Sequence, residues 1–240
     1  MADSSNFTKT KQAIVLTDED WNVKWQTRQI GFHEKDVHPL LVEFQNEMIN
    51  DKTKLNIFFP LCGKAVDMKW LADMGHNIVG VDISEIGLKE FFEEQNLPYF
   101  EEPVAEIPGA KVFKSTSGNI SLYCCSIYTI SSSVIGRFDG IWDRGALVAV
   151  NPCDRKRYAN LLLSLLNRDS RYLLVVLDYD PTLITGPPFY VSESEMEQLF
   201  GSTCSYKLLK NIDVMTDKQR QRGLGYCNSK IYLITPKSIS

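Results

Sequence analysis

The 240-residue sequence contains only three histidines, and none of its six cysteines forms a CxxC pair. Structural metals such as zinc are held by closely spaced Cys and His ligands, so this scarcity predicts a protein without a metal ion. We interpret the cysteines as reduced thiols, which are typical of a cytoplasmic protein.

Strong charge of either sign and long apolar runs are also missing. The formal net charge of −4 at pH 7 argues against a protein that follows nucleic-acid phosphates. No segment approaches the roughly 18–20 apolar residues that a membrane span requires. The polar N-terminus contains no apolar core of an export signal. We therefore predict that the chain binds neither nucleic acid nor membrane.

The chain shows no internal repeat and no linker long enough to separate two domains. Its length allows one large domain or two small ones, so the missing linker favours one. We predict a flexible tail over residues 1–16 and a single domain over residues 17–240.

Beyond the tail, apolar runs alternate with helical patterns, which predicts an α/β fold with a parallel sheet. The proline-rich residues 96–117 are interpreted as an irregular connection with one short strand at 111–114. Two final apolar runs, 206–212 and 230–235, are joined by a short connection. They predict an antiparallel hairpin at the edge of the sheet.

Residues 56–84 are predicted to form a β-α-β unit, because two apolar runs flank a helix-like segment. Asp82 ends the second apolar run, at the sheet edge where α/β proteins bind ligands. A carboxylate at this position can accept hydrogen bonds from a ribose diol. The alternative is an acid that caps the helix following Ser84.

The turn at 60–65 contains a single glycine, Gly63. Dinucleotide binders need several glycines there to bring backbone close to a pyrophosphate, and no Walker pattern is present. A cofactor with a ribose but no phosphates fits better, and S-adenosylmethionine is such a cofactor. An ordinary tight turn between strand and helix is the alternative.

Asp143 and Arg144 follow the fourth predicted strand and reach the same edge of the sheet. The guanidinium of Arg144 can bind a carboxylate through two hydrogen bonds, as the methionine end of this cofactor requires. Asp143 can accept a hydrogen bond from the amino group of the cofactor. A structural ion pair between the two residues is the alternative.

Two aromatic segments complete the predicted site. Trp21, Trp25 and Phe32 form either a lid over the cofactor or the packed face of a short amphipathic helix. The loop containing Pro188 and Phe189 is stiffened by prolines and suits a flat apolar substrate, although it can equally be a rigid turn.

Three long strings resemble the thiopurine S-methyltransferase family: FFPLCGKAVDMKWLADMGHNIVGVDIS, FDGIWDRGALVAVNP and YDPTLITGPPFYVSESEMEQLFG. The resemblance runs from about residue 20 to residue 237. It implies a Rossmann-like, seven-stranded, mostly parallel sheet with helices on both faces, an antiparallel C-terminal edge strand and the strand order 3-2-1-4-5-7-6. It also implies a monomer that methylates aromatic and heterocyclic thiols.

Together with the observations above, the resemblance implies a role for twelve residues. The cofactor S-adenosylmethionine would be bound by Trp21, Trp25, Leu61, Asp82, Ser126, Ile127 and Arg144. The substrate would be bound by Phe32, Pro188 and Phe189, with Arg144, Asp143 and Lys218 as the catalytic candidates.

The chain departs from the mammalian members of the family at three places. It has Asp82 where they have Glu, Tyr128-Thr129-Ile130 where they have Phe-Asp-Leu, and Lys218 where an Arg is expected. A lysine keeps the charge but not the bidentate fork of arginine. These changes leave open methylation of another soft nucleophile (a selenium or tellurium species, or an aliphatic thiol) and a binding protein without turnover.

Overall fold

The computed structural model describes residues 15–237. Nine strands lie within these residues: β1 (Asn56–Pro60), β2 (Asn77–Asp82), β3 (Tyr99–Pro103), β4 (Lys111–Ser115), β5 (Ile120–Cys124), β6 (Phe138–Arg144), β7 (Leu166–Tyr179), β8 (Cys204–Asp213) and β9 (Cys227–Pro236). The helices of the same residues are α1 (Asp18–Gln26), α2 (Pro39–Ile49), α3 (Asp67–Asp73), α4 (Glu85–Glu94), α5 (Ser132–Ile135), α6 (Arg155–Ser164), α7 (Glu193–Met196) and α8 (Asp217–Gln221). A π-helical turn, Glu197–Gly201, extends α7.

All nine strands of the described residues form one mixed sheet in the order β3-β4-β5-β2-β1-β6-β7-β9-β8. The central strands β5, β2, β1, β6 and β7 pair in parallel, and β9 pairs antiparallel with both β7 and β8. The α/β fold class, the mostly parallel sheet and the antiparallel C-terminal hairpin are therefore confirmed.

One detail of the predicted sheet, the number of strands, was wrong. The sheet has nine described strands rather than seven, because β3 and β4 add an antiparallel pair beside β5. The prolines that suggested an irregular connection lie just before β3 (Pro98) and at its last residue (Pro103). A missing N–H is tolerated at such positions of an edge strand. The other seven strands, β5-β2-β1-β6-β7-β9-β8, confirm the implied order 3-2-1-4-5-7-6, in which the C-terminal strand β9 lies between β7 and β8 and the hairpin of β8 and β9 forms this end of the sheet.

Helices cover both faces of the sheet, which explains why its strands are nearly continuous apolar runs. Phe58 belongs to the apolar core on the face of α6, and its neighbour Phe59 belongs to the core on the face of α2, α3 and α4. Successive side chains of a strand point to opposite faces. The same alternation decides which residues at the strand ends reach the site.

The chain enters the fold through α1, whose predicted position at two tryptophans is confirmed. Thr17 caps the helix through a reciprocal capping box with Asp20. Residues 1–14 of the predicted tail lie outside the described residues. Leu16, also assigned to that tail, is held by two hydrogen bonds of 2.9 Å with the side chain of Asn151.

Among residues 15–237, no helix is both long enough and apolar enough to cross a membrane.

Candidate functional site

A cleft lies at the carboxyl ends of β1, β2 and β6. Its walls are the end of β1, the loop that follows it and the first residue of α3 (residues 59–67), together with Asp82 at the end of β2 and Trp142 and Arg144 on β6. On the N-terminal side it is closed by Trp25, Phe32, His33, Glu34 and Asp36. Because β1 lies between β2 and β6, the connections diverge here, and such a switch point is the usual ligand site of an open α/β sheet.

The loop after β1 brings its backbone into contact with the aromatic residues above it. Gly63 has φ +48°, and a Cβ atom at this position would lie 2.8 Å from Cζ2 of Trp25. A Cβ on Gly87 of α4 would likewise lie 2.8 Å from Cη2 of Trp25. The single glycine of the loop is therefore required by the ring that packs on it as well as by its backbone conformation.

The carboxylate of Asp82 is buried at the tip of β2, where the sequence predicted it. Its Oδ2 atom accepts from the backbone N–H of Gly63 at 2.8 Å, and its Oδ1 atom accepts from that of Ser84 at 2.9 Å. Burial raises its pKa to about 6, although these hydrogen bonds oppose the rise. Ser84 itself caps α4 by accepting from Gly87, so Asp82 is not the helix cap.

Arg144 faces the cleft and holds the segment that closes it. Its Nη1 atom donates to the carbonyl of Phe32 at 2.8 Å, and its Nη2 atom donates to Glu34 Oε1 at 2.7 Å. The carboxylate partner of Arg144 is thus Glu34 rather than its sequence neighbour Asp143. Both terminal nitrogens of the guanidinium are therefore bonded to the segment that closes the cleft.

The proposed contact of Asp143 with the cofactor is corrected by the structure. Asp143 is fully buried, because its side chain points to the face of the sheet opposite Trp142 and Arg144. Its Oδ1 atom accepts from Leu147 N at 2.9 Å. Its Oδ2 atom accepts from the hydroxyls of Tyr158 and Tyr172, each at 2.7 Å. Asp143 therefore ties β6 to α6 and β7 and has no access to the cleft.

The three N-terminal aromatic residues pack together as a cover. Trp25 is 3% exposed, and its ring centroid lies 5.7 Å from that of Phe32 in an edge-to-face arrangement. Trp21 packs on Phe32 in the same way at 5.9 Å. Phe32 remains 40% exposed and lines the cleft, so it is available to a ligand.

The structure brings five of the predicted site residues into the lining of this cleft: Trp25, Phe32, Leu61, Asp82 and Arg144. Trp21 joins them through its contact with Phe32. Ser126 and Ile127 lie in the turn after β5 and are not part of the lining. The side chain of Ile127 points into the apolar core on the face of α6. Their proposed contacts with an adenine stay a prediction.

Three substrate-side or catalytic candidates lie away from the cleft. Phe189 is buried, and its ring packs 5.9 Å from the guanidinium of Arg155. Pro188 is exposed, and its carbonyl accepts from Tyr179 at 2.6 Å. Lys218 is exposed on α8. The loops that carry these residues pack by long-range contacts, which sequence spacing does not report.

One polar cluster beside the cleft escaped the sequence analysis. Lys64, which follows the loop glycine, is buried and pairs with Glu90 at 2.9 Å and with Glu94 at 2.6 Å. Arg28, just after α1, also pairs with Glu90. Because α4 supplies both acids, this cluster joins the cover, the loop and α4. The spacing of Glu90 and Glu94 on one helix face was the available signal.

Cys62 adjoins Gly63 but is a packing residue. Burial raises the pKa of its thiol well above the ordinary value, so it stays protonated at neutral pH. We expect iodoacetamide to modify the exposed Cys153 of the folded protein at pH 8 and to leave Cys62 unmodified. Peptide mass spectrometry measures both sites. Rapid labelling of Cys62 would contradict this assignment.

The fold is similar to those of solved methyltransferases. The fold resembles that of a 1,6-didemethyltoxoflavin-N1-methyltransferase from Burkholderia thailandensis, solved with 1,6-didemethyltoxoflavin and S-adenosylhomocysteine. The TM-score is 0.62 at 14% identity, with 95% of this chain and 94% of that chain covered. At such low identity the similarity shows the fold alone.

Sequence comparison identifies the family within this class. The model of the thiopurine S-methyltransferase family matches residues 16–237. Thiopurine S-methyltransferase of Rattus norvegicus is 56% identical over 223 residues, covering 93% of either chain. That of Canis lupus familiaris is 54% identical over 230 residues, covering 96% of this chain and 94% of the relative. The chain belongs to the thiopurine S-methyltransferase family.

Proposed function

We propose that the chain transfers the methyl group of S-adenosylmethionine to the sulfur of an aromatic or heterocyclic thiol such as 6-mercaptopurine. One observation carries this proposal: a single cleft joins Asp82 and Arg144 under an aromatic cover. Membership of the family, with relatives at 54–56% identity named thiopurine S-methyltransferase, supports the same reaction.

The hydrogen-bonding and aromatic groups of the cleft fit the cofactor and a flat substrate. When bound, S-adenosylmethionine supplies a methyl group on a positively charged sulfur. Each carboxylate oxygen of Asp82 carries one backbone hydrogen bond and can accept another from a ribose hydroxyl. Arg144 offers a guanidinium fork to the methionine carboxylate. The exposed Phe32 offers an aromatic edge to a flat substrate.

Catalysis in this site rests on positioning. A thiol conjugated to ring nitrogens ionises near neutral pH, so the protein need not supply a strong base. Asp143 is excluded as that base by its burial on the opposite face, and Cys62 is excluded by its protonated thiol. The chain contributes by holding the reactants in line for transfer. The aromatic cover adds the exclusion of water.

Calorimetry with S-adenosylhomocysteine and a turnover assay with 6-mercaptopurine test the proposal together. We expect binding of the cofactor product and methylation of the thiol. If turnover occurs only with selenium or tellurium species or with aliphatic thiols, those compounds would be the substrate class instead of aromatic and heterocyclic thiols. Binding without methylation of any nucleophile would indicate a binding protein, and the absence of binding would refute both the enzyme and the cofactor assignments.

Removal of the Glu34 carboxylate should strengthen cofactor binding. Glu34 competes with the methionine carboxylate for Arg144, and it is 58% exposed at its side chain. An exposed ion pair contributes about 0.2–1 kcal/mol, so Glu34→Gln should lower the dissociation constant of S-adenosylhomocysteine about 1.5- to 5-fold. Glu19→Gln, an exposed position on α1, is the matched control. Weaker binding by Glu34→Gln would show that the cover needs this pair.

Cofactor affinity should fall as the pH drops below about 6. The pKa of Asp82 lies at about 6, so acidification converts its carboxylate acceptor into the neutral acid. We expect the dissociation constant of S-adenosylhomocysteine to rise between pH 7.5 and pH 5. His38 has a pKa of about 4 and stays neutral over this range. An Asp82→Asn variant should bind S-adenosylhomocysteine weakly, and its affinity should depend less on pH than that of wild type. An equally steep pH dependence in the variant would mean that a group other than Asp82 titrates.

A cytoplasmic location and a monomeric state belong to the proposal. All six cysteines lie within the described residues and are unpaired there, which supports a reducing compartment. Cell fractionation tests the location, and analytical ultracentrifugation tests the oligomeric state.

A further inference from the structure

Asp67, the first residue of α3, is a buried carboxylate that lines the cleft. It is 5% exposed. Its Oδ1 atom accepts from the backbone N–H of His38 at 2.8 Å, and its Oδ2 atom accepts from Nε1 of Trp142 at 3.0 Å. Both donors are uncharged. The two hydrogen bonds orient the carboxylate but leave its negative charge without a bonded cation.

The direction of Trp142 places Asp67 on the same side of the sheet as Arg144. Trp142 and Arg144 are two residues apart on β6, so their side chains share one face. Asp67 bonds the first of them. The cleft therefore combines a carboxylate from α3 with a guanidinium from β6, and these charges are complementary to the ammonium and carboxylate groups of a free amino acid.

The other acids of the cleft are committed or exposed. Asp82 bonds the backbone of Gly63 and Ser84 at the end of β2, on the opposite flank of β1. Glu34 is paired with Arg144, and Asp36 is exposed. The imidazole of His38 supplies no competing positive charge, because burial and Arg144 lower its pKa to about 4.

We propose that Asp67 binds the ammonium group of the methionine part of the cofactor while Arg144 binds its carboxylate. This takes over the role that the sequence had suggested for Asp143. The inference rests on the proposed function, since it names a contact with S-adenosylmethionine. It makes Asp67 the residue that distinguishes an amino-acid-bearing adenosyl compound from one without an amine.

Two ligands separate this role from a structural one. Calorimetry compares S-adenosylhomocysteine with its deaminated analogue, in which hydrogen replaces the amino group. A hydrogen bond to a charged group contributes about 1.5–3 kcal/mol, so Asp67→Asn should weaken binding of S-adenosylhomocysteine about 10- to 150-fold. It should change binding of the deaminated analogue by less than about threefold. Trp142→Phe removes one hydrogen bond to Asp67 without changing the charge, and should retain most of the preference for the amine.

Equal losses for both ligands in Asp67→Asn would overturn the proposal, as would unchanged binding of S-adenosylhomocysteine. If Asp67→Asn does not fold, the wild-type protein still tests it, because wild type should bind the deaminated analogue at least about tenfold more weakly. Asp67→Glu, which keeps the carboxylate, should retain that preference. Failure of wild type to bind S-adenosylhomocysteine would instead refute the proposed function.

Discussion

Replacing Asp143 with alanine should lower the free energy of unfolding by about 3–5 kcal/mol. The variant leaves three buried donors without an acceptor, namely Leu147 N and the hydroxyls of Tyr158 and Tyr172. Each unsatisfied buried group costs about 1–3 kcal/mol, and the lost contacts of the side chain add to this. Urea denaturation followed by circular dichroism measures the change.

Two sets of variants make this test specific. Asp169→Ala, at an exposed position of β7, should change stability by less than about 0.5 kcal/mol. Tyr158→Phe and Tyr172→Phe should each cost about 1 kcal/mol, because the carboxylate retains its other donors. A loss below about 1 kcal/mol in Asp143→Ala would contradict the buried network described above.

Replacing Gly63 with valine should weaken binding of S-adenosylhomocysteine about 100-fold or more, which corresponds to at least about 2.7 kcal/mol. The new Cβ would lie 2.8 Å from Trp25, in a loop whose φ of +48° is unfavourable for a β-branched residue. The loop must therefore distort, or Trp25 must leave its position over the cleft. Calorimetry gives the affinity.

Gly31 provides the matched control for this loss of affinity. It lies in the cover beside Phe32, and a Cβ atom there meets nothing within 4 Å among the described residues. Gly31→Val should bind S-adenosylhomocysteine within about twofold of wild type. Similar losses in both variants would mean that the cover, rather than contact between the loop and Trp25, determines affinity.

The residues that sequence reasoning located well belong to local structure. Gly63 and Asp82 lie in one β-α-β unit, whose strands, turn and helix follow from apolar runs and a single glycine. The chain therefore places both residues at the sheet edge without reference to distant segments. The parallel sheet follows from the same alternation, repeated along the chain.

The position of Asp143 could have been predicted from the alternation of side chains along a strand. Asp143 and Arg144 were both assigned to the site because they end one strand. Alternation within a strand sends two adjacent side chains to opposite faces, so only one of them can reach a given cleft. Because residues Gly140–Asp143 of β6 are all buried, burial alone does not tell which face of the strand borders the cleft. That depends on the elements that pack on each face.

Other parts of the site depend on contacts that no local pattern reports. Phe189 and Lys218 lie in connections whose positions are decided by packing against distant elements, such as Phe189 N on the carbonyl of Val148. The pairing of Arg144 with Glu34 joins positions 110 residues apart. Asp67 acquires its orientation from Trp142, 75 residues later.

The cover is fastened at both of its ends, and this has a kinetic consequence. Leu16 is bonded to Asn151 at one end, and Phe32 and Glu34 are bonded to Arg144 at the other. Release of one end leaves the other attached, so reclosure is a contact between two points of a short tethered loop. Lids that cover enzyme sites move on the microsecond-to-millisecond timescale. Because one end stays attached, we expect the cover of this chain to open at one end at a time, so that ligands enter without its complete release.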